Sequence, residues 1–171
     1  MDWRLRRTGP ADAAILSLVA GATFLEAFAG VLDGADILAH VTRNSSPAAF
    51  ERYLADGAVA TLAEARDGAA PLGYTLLTTP DLPVAPAPGD IELKRIYALF
   101  PTHGTGLGPA LMAQAIADAR DAGSRRLLLG VYGGNRRAQR FYEKQGFTVA
   151  GERRFQVGTT WHDDLIYARA L

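Results

Sequence analysis

A chain of 171 residues with 49% hydrophobic content can bury a full core and sits near the size of one domain, so a single domain over 1–171 is expected. Its 18 basic and 18 acidic residues cancel, and neither sign gathers into a long block, which argues against nucleic acid as a partner. There are no cysteines, which excludes disulfides, Cys-ligated zinc and any route through a protein thiolate, and fits a reducing compartment such as the cytoplasm.

Trp3 to Arg7 predicts a short strand, and Pro10 suits the first turn of the helix that follows. Arg4, Arg6 and Arg7 precede the apolar stretch AAILSLVAGATF, and Ala27-Phe28-Ala29 resembles a signal cleavage site. A buried helix is nevertheless expected. Asp2 and Asp12 break the charge pattern of a signal peptide, and Ile15, Leu18, Ala22, Leu25 and Phe28 repeat as one helical face. No other run approaches the length of a membrane span.

Helical segments follow over Ala35 to Thr42 and, after Pro47, Ala48 to Ala55. Two strand-like runs, AVATLAEA and LGYTLLTT, flank Asp67-Gly68, a hairpin signal because both residues tolerate positive φ. Proline excludes helix and central strand from Pro80 to Asp90, which reads as an exposed loop, with a flap beside a ligand as its functional alternative. IELKRIYALF then predicts a strand.

The stretch HGTGLGPALMAQ opens the next helix, whose apolar stripe is Leu107, Leu111, Met112, Ala115, Ile116 and Ala119, ending near Gly123. RLLLGVY reads as a buried strand, and Asn135 as the N-cap of a helix that stops at Gly146. The remaining residues read as two strands joined around Gly158.

Strand, glycine loop and helix in succession describe an anion site, because N–H groups at a helix start point outward with the helix dipole behind them. A nucleotide P-loop is excluded, since no lysine with Ser or Thr stands in the required place. Gly104, Gly106 and Gly108 are spaced G-x-G-x-G, which also fails the dinucleotide fingerprint. His40, His103 and His162 form no ligand-spaced pair, so no metal site is expected. None of the serines lies in G-x-S-x-G.

The sequence resembles the GNAT superfamily of N-acetyltransferases. The family's coenzyme A signature, Q/R-x-x-G-x-G/A, is matched at Gly106 and Gly108, with His103 in place of the usual Gln or Arg. A second block, NRRAQRFYEKQGF from Asn135 to Phe147, is more specific, and the two occur in the family's order. The C-terminal residues and FLEAFAGVLDGADILAHV look most like the branch that contains spermine and spermidine acetyltransferases.

The resemblance implies a mixed α/β fold of α+β type, with a largely antiparallel sheet splayed around acetyl-CoA. The backbone of His103, Gly104, Thr105, Gly106, Leu107 and Gly108 would cradle the pyrophosphate, and Ile96, Tyr97 and Ala98 would pair with the pantetheine arm. Asn135 and Phe141 are further coenzyme contacts it implies. It also implies transfer of acetyl to a primary amine of a small molecule, such as a polyamine, with a homodimer as one assembly. A peptide acceptor and a non-catalytic acyl-CoA-binding domain are the rival readings.

An alkyl amine with a pKa near ~10.4 is protonated at neutral pH, and freeing its lone pair costs about 4 to 5 kcal/mol, so a general base is useful. Glu92 is the first candidate; its alternative is a solvated strand carboxylate. Glu26 is the second candidate base, with His162 and Asp163 behind it; all three are also candidate acceptor contacts, with Glu26 alternatively paired to an arginine. Tyr142 occupies the family's general-acid position, while its place on a stripe with Ala138 and Phe141 also allows a packing role.

Overall fold

The computed structural model describes residues 2–157 and 160–171. Among them, seven strands form one sheet: β1 (Trp3–Arg7), β2 (Val59–Ala65), β3 (Pro71–Thr78), β4 (Asp90–Ala98), β5 (Arg126–Tyr132), β6 (Thr148–Val157) and β7 (Thr160–Ala170). The helices are α1 (Ala13–Phe28), α2 (Gly34–Asn44), α3 (Pro47–Ala55), α4 (Leu107–Asp121) and α5 (Arg136–Lys144). The sheet order is β1-β2-β3-β4-β5-β7-β6. Every neighbouring pair is antiparallel except β4 and β5. This is the mixed, mostly antiparallel α/β architecture expected; the turn expected around Gly158 lies outside the described residues.

One junction positions the site. β4 and β5 pair only through Asp90 with Arg126, Ile91 with Leu127 and Glu92 with Leu128. Beyond Glu92, β4 stays with β3 as far as Ala98, while β5 stays with β7 as far as Tyr132. The two halves of the sheet therefore part like a V, and the Arg126 guanidinium grips Asp90 with two bonds of 2.7 Å where they still touch.

Apolar side chains cover both sheet faces. Leu77, Leu93, Met112, Leu127 and Tyr167 pack on the α4 side, and Leu16, Phe50, Leu62, Tyr74 and Leu76 on the α1 and α3 side. Pro10–Phe28 has the length and apolar composition of a membrane span, but it lies on the sheet, burying Leu16, Val19, Ala20, Thr23 and Phe24. The face expected from sequence is corrected here: Leu18 is 64% exposed, Leu25 is 53% exposed, and Ala22 is exposed too. Apolar residues surround this helix, so spacing does not reveal which stripe meets the core. The β2–β3 turn differs as well, with Gly68 and Ala69, rather than Asp67, at positive φ.

Candidate active site

The β3–β4 register shifts between Leu76 and Leu77, whose partners are Arg95 and Leu93. Lys94 is thus an extra residue, a bulge that reverses side-chain alternation. As a result Glu92, Arg95 and Tyr97 all face the α1 side, although the first two are three positions apart. They line a cleft of about 460 Å³ whose far wall includes Tyr132, Arg153, His162 and Asp164.

Glu92 is not the solvated carboxylate that was one expectation; it is 3% exposed. Its Oε2 accepts the backbone N–H of Asp81 at 2.8 Å, which ties the proline-rich loop to the cleft, and its Oε1 lies 3.9 Å from Lys94 Nζ. Asp164 is buried, and burial pushes its carboxyl above the usual range although Arg153 opposes the shift from 3.3 Å. His40 stacks on Phe24 with ring centroids 4.2 Å apart. Burial first, and then the Arg95 charge, lower the His40 pKa to about 4.

Arg95 was missed in the sequence. Its Nη2 donates to the Asn44 carbonyl at 2.6 Å and its Nη1 to Ser45 Oγ at 3.2 Å, while the guanidinium lies over the Phe50 and Tyr53 rings. Burial opposes its charge, and the phenols of Tyr74 and Tyr53 more than offset that. Strand alternation alone would place Arg95 on the face opposite Glu92, so the signal was hidden by the bulge.

Tyr142 lies on the other side of the sheet, in the core with Leu93, Leu129 and Phe147. Its hydroxyl has no hydrogen-bond partner among the described residues. Burial, and then Tyr97, push its pKa well above the ordinary phenol value, so it holds its proton throughout the neutral range.

The glycine loop runs from β4 into α4. Gly104 and Gly106 have φ of +84° and +88°, a region that side-chain-bearing residues rarely adopt. Gly106 caps α4, its carbonyl accepting from Ala110 at 3.1 Å. Among the described residues, nothing accepts from the N–H groups of Gly104, Gly106, Leu107 and Gly108. Four outward donors at a helix start fit a phosphate group. A Cβ at Gly108 would stand 3.9 Å from the Phe141 ring, so the glycine loop and the α5 block meet there.

Other expected contacts are distributed unevenly. His162 lines the cleft, and its Nε2 is buried without a partner. Asp163 does not line it; its side chain is 94% exposed beside Arg154. Consecutive strand residues face opposite ways, and the cleft-facing carboxylate is Asp164. Among the described residues Glu26 pairs with no arginine; its Oε2 accepts the Phe100 N–H at 2.9 Å, holding the turn before the glycine loop. His103 is exposed, with Nε2 3.2 Å from the Ala98 carbonyl. Asn135 caps α5 by accepting from the Ala138 N–H at 3.0 Å. Ile96, Tyr97 and Ala98 pair with β3 on one edge and, among the described residues, have no strand on the other, leaving a row of backbone groups along the V.

A model of the acetyltransferase (GNAT) family matches residues 35–147. Uncharacterised N-acetyltransferases of Mycobacterium tuberculosis strain H37Rv and of Mycobacterium bovis are each 39% identical over 160 residues, covering 94% of this chain and 98% of theirs. The chain belongs to the GNAT acetyltransferase family. It is an enzyme, an acetyl-CoA-dependent N-acetyltransferase. The fold of this acetyltransferase is that of the PaiA N-acetyltransferase from Thermoplasma acidophilum in complex with coenzyme A, with a TM-score of 0.79 over 100% of both chains at 19% identity. The acetyltransferase yncA of Salmonella typhimurium with acetyl-CoA is similar at a TM-score of 0.66 and 20% identity, over 99% of this chain and 94% of that one.

Proposed function

We propose that the enzyme acetylates the primary amine of a small molecule by direct attack, with Glu92 as general base and Tyr142 as general acid. The observation that carries this reading is Glu92 itself: a buried carboxylate on the cleft wall, at the last β4–β5 pair before the strands part. Acetyl-CoA, when bound, supplies an acyl group already activated as a thioester. The free edge of Ile96 to Ala98 would hold its pantetheine arm, and the N–H groups of Gly104, Gly106, Leu107 and Gly108 its pyrophosphate. Glu92 takes a proton from the acceptor ammonium so that nitrogen can attack. Tyr142, with its raised pKa, keeps a proton available for the departing sulfur.

A cleft of about 460 Å³ is the size of small-ligand sites and supports a small acceptor over a peptide. A polyamine is the acceptor that the sequence resemblance implies, and a cytoplasmic location belongs to the same reading. The test is a panel of amines, amino acids, polyamines and N-terminal peptides scored by thiol release from acetyl-CoA. Release with a small amine is expected; release with peptides alone would overturn the assignment.

A further inference from the structure

Three carboxylates, Asp81, Glu92 and Asp164, and three cations, Lys94, Arg95 and Arg153, line the cleft, but they are not all paired. Glu92 has Lys94 at 3.9 Å and Asp164 has Arg153 at 3.3 Å. Arg95 lines the same cleft, but among the described residues no carboxylate lies within ion-pair distance of it. Its neighbours Asn44, Ser45, Tyr53 and Tyr74 are neutral. They orient the guanidinium without cancelling its charge. Several of its N–H groups are taken up, by Ser45 Oγ, the Asn44 carbonyl and, at 3.5 Å, the Tyr53 hydroxyl. This half-buried, fixed cation therefore offers a ligand an uncancelled charge and its remaining N–H groups, which suit an anionic group such as a carboxylate.

Given the amine acetylation proposed above, we propose that the acceptor carries a carboxylate as well as its amine, and that Arg95 seats that carboxylate. The acceptor is then of the amino-acid class. Because of the Lys94 bulge, Glu92 and Arg95 stand on one face of β4 as if two positions apart, roughly 7 Å along the strand. That separation lets one small molecule place its ammonium near Glu92 and its carboxylate near Arg95. The orphaned Nε2 of His162 on the opposite wall offers a third polar contact, which an acceptor with only a hydrocarbon tail would leave unsatisfied. A polyamine would instead bring further positive charge toward Arg95 and gain nothing there.

The test pairs acids with their neutral amides. Glycine, L-methionine and L-phenylalanine are each compared with the corresponding primary amide, and with spermidine, by two readouts: calorimetric binding to the protein saturated with coenzyme A, and thiol release from acetyl-CoA. For at least one pair the acid is expected to bind and react about tenfold or more better than its amide. Arg95→Gln should collapse that ratio toward one, and Arg95→Lys, which keeps a charge but not the guanidinium's anchoring contacts, should retain part of it. Coenzyme A binding checks that each variant is folded. Thiol release that is indifferent to the carboxylate, that favours spermidine, or whose ratio survives Arg95→Gln overturns the carboxylate seat and leaves the transfer reaction standing. An Arg95-dependent binding preference with no thiol release keeps the seat and overturns the transfer. Neither binding nor release for any acid overturns the seat outright.

Discussion

At neutral pH an alkyl ammonium is useless as a nucleophile, and the proposed mechanism assigns its deprotonation to one buried carboxylate on the cleft wall, Glu92. Glu92→Gln keeps the shape and the Asp81 contact but cannot take the proton; kcat is expected to fall by about 10² to 10⁴, with the loss easing at high pH where free amine becomes abundant. Tyr142→Phe removes only a hydroxyl, so a fall in kcat with an unchanged thermal midpoint would mark proton donation, and unchanged kcat would reduce Tyr142 to packing. His40 makes a separate prediction about stability. The unfolded chain takes up this proton near pH ~6.5, and the folded protein does so only at about 4. Between those values the unfolded state binds more protons, so the His40 contribution, complete above pH 6.5, is lost as pH falls toward 4. Allowing for its partial exposure, that is roughly 1 to 2 kcal/mol. Urea unfolding at pH 7 and pH 5 should show a shallower acid loss in His40→Gln than in the wild type. Of these groups, Glu92 and Tyr142 were singled out as candidates by chemistry and motif. The cleft-facing roles of His40 and Arg95 were not, because both depend on contacts across the sheet and helices.

Two elements decide the shape of the site, and they differed in how visible they were. The glycine loop was visible in the sequence as G-x-G-x-G between a strand and an apolar helical stripe, although only the NRRAQRFYEKQGF block singled out a coenzyme reading for it. The β4 bulge was invisible: IELKRIY reads as uninterrupted strand, and only the partner register reveals the extra Lys94. Adjacent residues are a related trap. His162 and Asp163 look like a pair in one dimension, whereas β7 sends them to opposite faces and brings Asp164 to the cleft. The loop supports a controlled test. Gly106 and Gly57 have φ of +88° and +86°, so an alanine at either strains the backbone by about 1 to 2 kcal/mol. Gly106→Ala should also raise the KM for acetyl-CoA several-fold by moving the donors at the α4 start. Gly57→Ala, in the turn before β2, should lower the thermal midpoint alone. Equal effects on KM would mean that the loop does not hold the coenzyme.

Across the whole molecule, the order of strands and helices followed from periodicity, proline and glycine, but the insertion of β7 between β5 and β6 did not. Neither did the face of α1, whose apolar residues point in every direction. Both are settled by pairing and packing between distant segments, where local pattern carries no information. The same long-range pairing sets how far the V opens. Three residue pairs and the Arg126–Asp90 grip join β4 to β5, and among the described residues the edges that face each other beyond them have no strand partner. A ligand that lies in the V binds only while both edges hold their positions, so it stabilises the native state by mass action. At a coenzyme A concentration a hundred times its Kd, the gain is about 2.7 kcal/mol, which for a chain of this length should raise the thermal midpoint by roughly 5 to 10 °C. A calorimetric scan with and without coenzyme A measures it directly. In Arg126→Gln, where the grip is lost, the ligand-free midpoint should drop, while the increment from coenzyme A at the same multiple of Kd should remain. A wild-type midpoint indifferent to coenzyme A would rule out binding between the parted strands.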